Sequence, residues 1–189
     1  MSGFFSRLSA LFGLKKKSVK VIMVGLNNSG KSTIVSLLKS DGDKNSEIVP
    51  TVGLNIEHFR YQQVLFTMFD MSGQGKHRYL WERYYKNCDG IIFVIDSSDR
   101  LRLAVAKEEL NLLLKHPDLS NRKIPILFLA NKMDVREALS SVKIANAFGL
   151  EKIKDKPWHI FATSALTGEG LQNGIEWFTE QLSQGDVYT

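Results

Sequence analysis

The sequence predicts an α/β fold: a mostly parallel six-stranded sheet with helices on both faces and one antiparallel edge strand. Short apolar runs rich in branched residues alternate with amphipathic stretches, the rhythm of strands joined by helical crossovers. The first run ends in a glycine-rich loop that opens directly into a helix. A length of 189 residues, 43% of them hydrophobic, suits one domain with a sizeable core, and no repeat, low-complexity tract or linker divides it.

Taken in order, Val19 to Val24 alternates and then runs apolar, as a buried strand does. A helix is expected over 31–39, and the polar stretch Ser40 to Ser46 reads as a loop. Strands at 54–59 and 64–69, joined by Arg60-Tyr-Gln-Gln63, read as a hairpin and supply the antiparallel edge. Helices at 76–86, 100–115, 136–147 and 169–182 then alternate with strands at 90–95, 124–130 and 158–161.

The loop Gly25-Leu-Asn-Asn-Ser-Gly30-Lys31-Ser32 fits the phosphate-cradling pattern G-x-x-x-x-G-K-[ST]. Its glycines permit a tight ring of inward-facing amides, from Asn28, Ser29, Gly30, Lys31, Ser32 and Thr33. Lys31 is a mobile point charge suited to bridging β- and γ-phosphates, and the Ser32 hydroxyl is a hard oxygen suited to Mg²⁺. None of this names the base. That comes from Asn131-Lys132-Met133-Asp134, which follows the apolar run Ile124 to Ala130 and matches an N-K-x-D signature. A carboxylate at Asp134 accepts hydrogen bonds from guanine N1–H and the exocyclic amine, a donor pair adenine lacks; at roughly 1.5 to 3 kcal/mol per bond this discriminates by about two to four decades. Asn131 would brace the loop and the Lys132 stem would cover the base.

Between these motifs lie two segments suited to sensing a γ-phosphate. Thr51, in Pro50-Thr-Val-Gly53 after the polar loop, would order when its hydroxyl finds Mg²⁺ and the phosphate. In Asp70-Met-Ser-Gly-Gln74, Asp70 would hold the metal through a water, the Gly73 amide would meet the γ-phosphate and Gln74 would orient the attacking water.

On these motifs, with Leu80-Trp-Glu-Arg-Tyr-Tyr85 and Phe93-Val-Ile-Asp-Ser-Ser-Asp-Arg100, residues 18 to 182 resemble the small GTPases, in particular their Arf and Arf-like branch. The resemblance implies a P-loop small-GTPase fold and a monomeric Mg²⁺-dependent GTP/GDP switch with slow intrinsic GTP hydrolysis, served by an exchange factor and an activating protein. It also implies a fifth element at Thr163-Ser164-Ala165-Leu166, Ala165 bracing guanine through its amide, and an exposed apolar effector patch of Leu54, Phe69 and Tyr84. Within the branch, Phe69-Asp-Met-Ser-Gly-Gln74, Lys107-Glu-Glu-Leu110, Lys115-His-Pro-Asp118 and Lys154-Asp-Lys-Pro-Trp-His159 are most similar to the member that recruits the BBSome coat in cilia. A BBSome-like effector, and a place at the ciliary base or membrane, follow as expectations. Four positions depart from the branch: Asn27 stands where Asp is common, Leu54 and Phe69 where Phe and Trp are usual, and Ser72 where glycine precedes the Gly-Gln pair.

The net charge of +5 is N-terminal. Arg7, Lys15, Lys16, Lys17 and Lys20 meet no acid in the first 20 residues, leaving 20 basic against 20 acidic beyond. There Phe4, Phe5, Leu8, Leu11 and Phe12 form an apolar helical stripe followed by lysines, which reads as a helix for an anionic membrane surface or one docked on the domain. The division expected is residues 1–17 as amphipathic helix and basic segment, and 18–189 as GTP-binding domain. Myristoylation needs glycine directly after Met1, but Ser2 stands there and Gly3 comes one place later, so the motif is absent as written. Either Ser2 is an added residue, or the chain relies on the helix, with Ser2 acetylated. No apolar run is long enough to span a bilayer and no signal peptide is evident, so a cytoplasmic, peripheral protein is expected.

Cys88 excludes an internal disulfide and reads as a small buried residue. The histidines at 58, 77, 116 and 159 are scattered; His77 is near enough to Gln74 to touch the switch, and Trp158 and Trp177 fit a core. The basic tail, interleaved with apolar residues, does not fit a nucleic-acid face. Two other classes share the phosphate loop: a nucleotide or metabolite kinase, disfavoured by Asn131 to Asp134 and the want of an arginine-rich lid, and a GTP-locked adaptor, which Gln74 argues against and Ser72 keeps open.

Overall fold

A computed structural model describes residues 17–39, 53–61 and 64–184. Six strands form one sheet in the order β2-β3-β1-β4-β5-β6: β1 Lys17–Val24, β2 Leu54–Tyr61, β3 Val64–Met71, β4 Gly90–Asp96, β5 Ile126–Asn131 and β6 Trp158–Ala162. β2 and β3 pair antiparallel, with Tyr61 opposite Val64, and every other pairing is parallel. The predicted fold class and its single antiparallel edge are observed.

The period of two in the central strands divides the interior into two cores. Ile22, Val24, Ile91, Phe93, Ile126 and Phe128 face one layer of helices. Val21, Met23, Ile92, Val94, Leu127 and Leu129 face the other. A strand covered on both faces has no polar side to offer, hence the unbroken apolar runs. The helices are α1 Lys31–Leu38, α2 Glu82–Tyr85, α3 Leu103–Lys115, α4 Pro117–Ser120, α5 Ser141–Phe148 and α6 Leu171–Gln184.

Several expected boundaries need correction. The single helix over 76–86 is instead a 3₁₀ turn, Gly75–Leu80, followed by α2. Trp81, 2% exposed, donates through Nε1 to the Ser72 carbonyl at 3.1 Å and fixes the chain at the junction. The helix over 136–147 begins only at Ser141, because Ser140 caps it and the Leu139 amide is bonded to Ser97 O at 2.9 Å. The helix at 100–115 opens as a 3₁₀ turn, Arg100–Arg102, capped by Asp99. The strand at 124–130 starts at Ile126, since Pro125 has no N–H to give a ladder. α4 was not foreseen: it is one turn long, too short for a periodicity. Cys88 is buried as expected, and burial pushes its thiol up to about 11. Trp158 and Trp177 are half-buried rather than central.

The parallel register aligns the carboxyl ends of the strands: Met23 lies opposite Asp70, Val24 opposite Phe93, Asp96 opposite Asn131 and Ala130 opposite Ala162. The loops that follow β1, β3, β4, β5 and β6 therefore meet along one edge, where ligands of open α/β sheets bind.

Candidate functional site

The phosphate loop leaves β1 at Gly25, whose φ of +143° and close approach to Val94 admit no side chain: a Cβ there would lie 2.2 Å from Val94 O. Asn28 and Gly30 also have positive φ, at 64° and 96°, which curls the loop before α1 begins at Lys31. Lys31 is 6% exposed, and its Nζ donates to the Gly25 and Leu26 carbonyls at 3.0 and 2.9 Å. Burial lowers its pKa to about 8; the Asp70 carboxylate opposes the shift, while Arg78 and Arg102 add to it. At the next residue, Ser32 Oγ donates to Asp70 Oδ2 at 2.5 Å. Ser29 and Asp70 are buried, and Thr33 is half-buried on α1.

At the other end of the edge, Asn131 is fully buried and joins three segments. Its Nδ2 donates to Ser29 O at 2.8 Å, and its Oδ1 accepts from the Ala165 amide at 2.9 Å and from Thr163 Oγ1 at 3.4 Å. The brace expected of Asn131 is thus present. The Ala165 amide, expected to brace guanine, is engaged with Asn131, because a buried amide oxygen requires donors. Lys132 adopts a left-handed φ of 69°, and its Nζ lies 2.7 Å from Asp96 Oδ2. Burial would raise the Asp96 pKa, but hydrogen bonds from Lys132 and Ser98 outweigh it and hold the carboxyl below its ordinary range. Ser164 Oγ donates to Asp134 Oδ1 at 2.5 Å, orienting the carboxylate.

Of the remaining expected residues, Gly73 packs against the phosphate loop and its carbonyl accepts from Arg78 Nε at 3.1 Å. Gln74 is half-exposed at the head of the 3₁₀ turn. His77 stands one turn on, its amide bonded to Gln74 O at 2.9 Å. Ser72 is buried, its amide donating to Gly53 O at 2.9 Å and its hydroxyl accepting from the Gln74 amide at 3.4 Å. Leu54, Phe69 and Tyr84 share a face, with the Phe69 and Tyr84 rings 4.8 Å apart, but they are half-buried against the core rather than exposed. Thr51 and the stripe Phe4, Phe5, Leu8, Leu11 and Phe12 lie outside the described residues.

Sequence reasoning did not find Asp96, Asp99, Arg102, Arg78 or Glu109, the side chains that hold Lys132, Asn27 and Gly73. The only signal was the stretch Phe93 to Arg100, whose acids fall at the end of a strand facing the site.

The arrangement has the form expected of a phosphate cradle and a polar base pocket, tied together by one asparagine. Residues 4–182 match the model of the ADP-ribosylation factor family. Over 180 residues the chain is 56% identical to ADP-ribosylation factor-like protein 6 of Danio rerio, covering 95% of this chain and 97% of that one. It is 46% identical over 182 residues to the protein of that name from Caenorhabditis elegans, covering 96% of each. Among solved structures it is similar to the Arl6 BBS3 small GTPase of Trypanosoma brucei with bound nucleotide analogue GppNp, with a TM-score of 0.83, 42% identity, and 89% of this chain and 99% of that one covered. The chain belongs to the ADP-ribosylation factor family, as a small GTP-binding switch that hydrolyses GTP.

Proposed function

We propose that this GTPase works with Mg²⁺ at an anionic membrane surface and, in its GTP form, recruits a BBSome-like coat for ciliary membrane-protein transport. The similarity to ADP-ribosylation factor-like protein 6 over nearly the whole chain carries the coat assignment. The basic, amphipathic residues 1–17 ahead of a GTP-binding domain, 18–189, support the membrane part. A cytoplasmic, peripheral location at the ciliary base follows from both readings; among the described residues no helix is long and apolar enough to cross a membrane.

At the site, the Ser32 hydroxyl, a hard oxygen of the kind magnesium takes, would hold the metal directly, and the Asp70 carboxylate hydrogen-bonded to it would hold the metal through a water. Thr51 would join them when GTP is bound. When bound, the metal would supply neutralisation of phosphate charge. Lys31 and the amides from Asn28 to Thr33 bind phosphate, the Gly73 amide senses its third member, and Asn131, Lys132, Asp134, Ser164 and Ala165 enclose guanine. Gln74 orients the hydrolytic water, and slow turnover awaits an activating partner. Phe69 and Tyr84, with Leu54, give the GTP form its effector surface.

Co-sedimentation with anionic liposomes tests this reading, using the full chain and one lacking residues 1–17, each loaded with GDP or a non-hydrolysable GTP analogue. Binding of the full chain alone, and only with the analogue, is the expected result. Equal binding in both nucleotide states would leave a constitutively attached adaptor.

A further inference from the structure

Two arginines that the motifs leave without a role converge on the phosphate loop. Arg102, in the turn between β4 and α3, donates through Nη1 to the backbone and side-chain oxygens of Asn27, each at 3.1 Å. Its Nε is held by Asp99 Oδ2 at 2.6 Å, and Asp99 Oδ1 accepts from the Arg102 amide at 3.2 Å. The chain itself therefore fixes the guanidinium from both sides. Gly73 abuts the same loop residue: a Cβ on it would lie 2.1 Å from Asn27 N and 2.5 Å from Gly25 O. Arg78 in turn grips the Gly73 carbonyl at 3.1 Å and is anchored by Glu109 of α3 at 2.5 Å. Asn27 is thus clamped between Arg102 and Gly73, and both arginines are tethered to α3 or to its leading turn.

Charge makes this more than a brace. The field of both arginines reaches Lys31, so it reaches the phosphate position that Lys31 lines. Asp99 already pairs the guanidinium at Nε, and Asn27 adds no second negative charge, so part of the Arg102 field is left for the loop, whereas a carboxylate in place of Asn27 would cancel it from the other side as well. If Gly73 meets the third phosphate, as proposed above, the fixed cation stands at the end of the site where a triphosphate carries its additional negative charge.

We propose that Arg102 is a positioning residue of the GTPase site, fixed through Asn27, which favours the triphosphate over the diphosphate nucleotide. Contacts from Lys31 and the loop amides serve both nucleotides; the Arg102 cation adds more to the one with the greater charge at its end.

The test is the dissociation rate of fluorescent GDP and of a fluorescent non-hydrolysable GTP analogue from the full chain, compared among wild type, Arg102→Ala, Arg102→Lys, Asn27→Ala and the double alanine variant. Arg102→Ala is expected to speed loss of the analogue about fivefold more than loss of GDP, the size expected of a partly solvated charge. Arg102→Lys, which keeps the charge, recovers at least part of that ratio. Asn27→Ala, which removes the Oδ1 contact but leaves the guanidinium on the residue-27 carbonyl and Asp99, lowers the ratio by less and adds nothing to Arg102→Ala. Equal acceleration of both nucleotides would make Arg102 a structural brace and overturn the proposal, as would full additivity of the two substitutions or no recovery with lysine.

Discussion

The two ends of the nucleotide site are built on different physical plans. At the base end the polar groups are fixed in one connected network: Asn131 ties Ser29, Thr163 and Ala165 together, Asp96 holds Lys132, and Ser164 orients Asp134. At the phosphate end Lys31 and Ser32 are bonded to Gly25, Leu26 and Asp70, partners that a phosphate and a metal would replace or share. A pocket that must read one base gains from rigidity, because a misplaced donor then stays unpaired. A pocket that must hold and release charge needs groups with alternative partners. On the proposed reading, that difference lets one site select guanine in every state while responding to the third phosphate.

The largest expected effect comes from breaking the exchangeable end. Lys31→Ala removes the buried cation and should weaken GTP-analogue and GDP binding by at least about a hundredfold, read by equilibrium titration of fluorescent nucleotides. Loss of less than tenfold would mean the loop amides suffice. The rigid end should instead fail by exchanging its specificity. In Asp134→Asn the acceptor that reads N1–H and the amine becomes partly a donor, so guanine affinity should fall by about ten- to a hundredfold while xanthine nucleotides, which carry a carbonyl in place of the amine, gain. Competition of GTP and XTP for one fluorescent nucleotide measures both, and retained guanine preference would mean the carboxylate is not the reader.

The smallest effect sharpens the comparison through pH. Burial holds Lys31 down to about 8, and a phosphate beside it would raise that value. Below pH 8 the ammonium is charged before and after binding, so affinity is flat. Above pH 8 binding must take up a proton, and affinity falls by at most about tenfold per pH unit until the raised value is reached. Calorimetric titration at pH 8 in two buffers of different ionisation enthalpy should show uptake of roughly half a proton. No uptake would mean that the ammonium is fully charged without nucleotide.

The placement of much of this candidate site was legible because its motifs are contiguous in sequence and their chemistry demands fixed spacing. The phosphate loop, Asn131 to Asp134 and Asp70 to Gln74 each follow an apolar strand, and each stands where its strand ends. Residues that act across the fold were not legible. Asp96 reaches Lys132 only because β4 and β5 align Asp96 with Asn131, and Arg102 reaches Asn27 across 75 positions of sequence. Helix boundaries failed for a related reason: Trp81 and Leu139 are held by Ser72 and Ser97, tertiary partners that override local helix preference.

The sheet's two-sided burial, its antiparallel edge and the guanine-nucleotide signature were readable from the chain unfolded on the page, since apolar periodicity and motif spacing are local properties. Folding alone settles which charges stand over the phosphate loop, that the Ala165 amide serves Asn131, and that the Leu54, Phe69 and Tyr84 face lies half-buried. These depend on strand register and on distances through space, which the order of residues does not display.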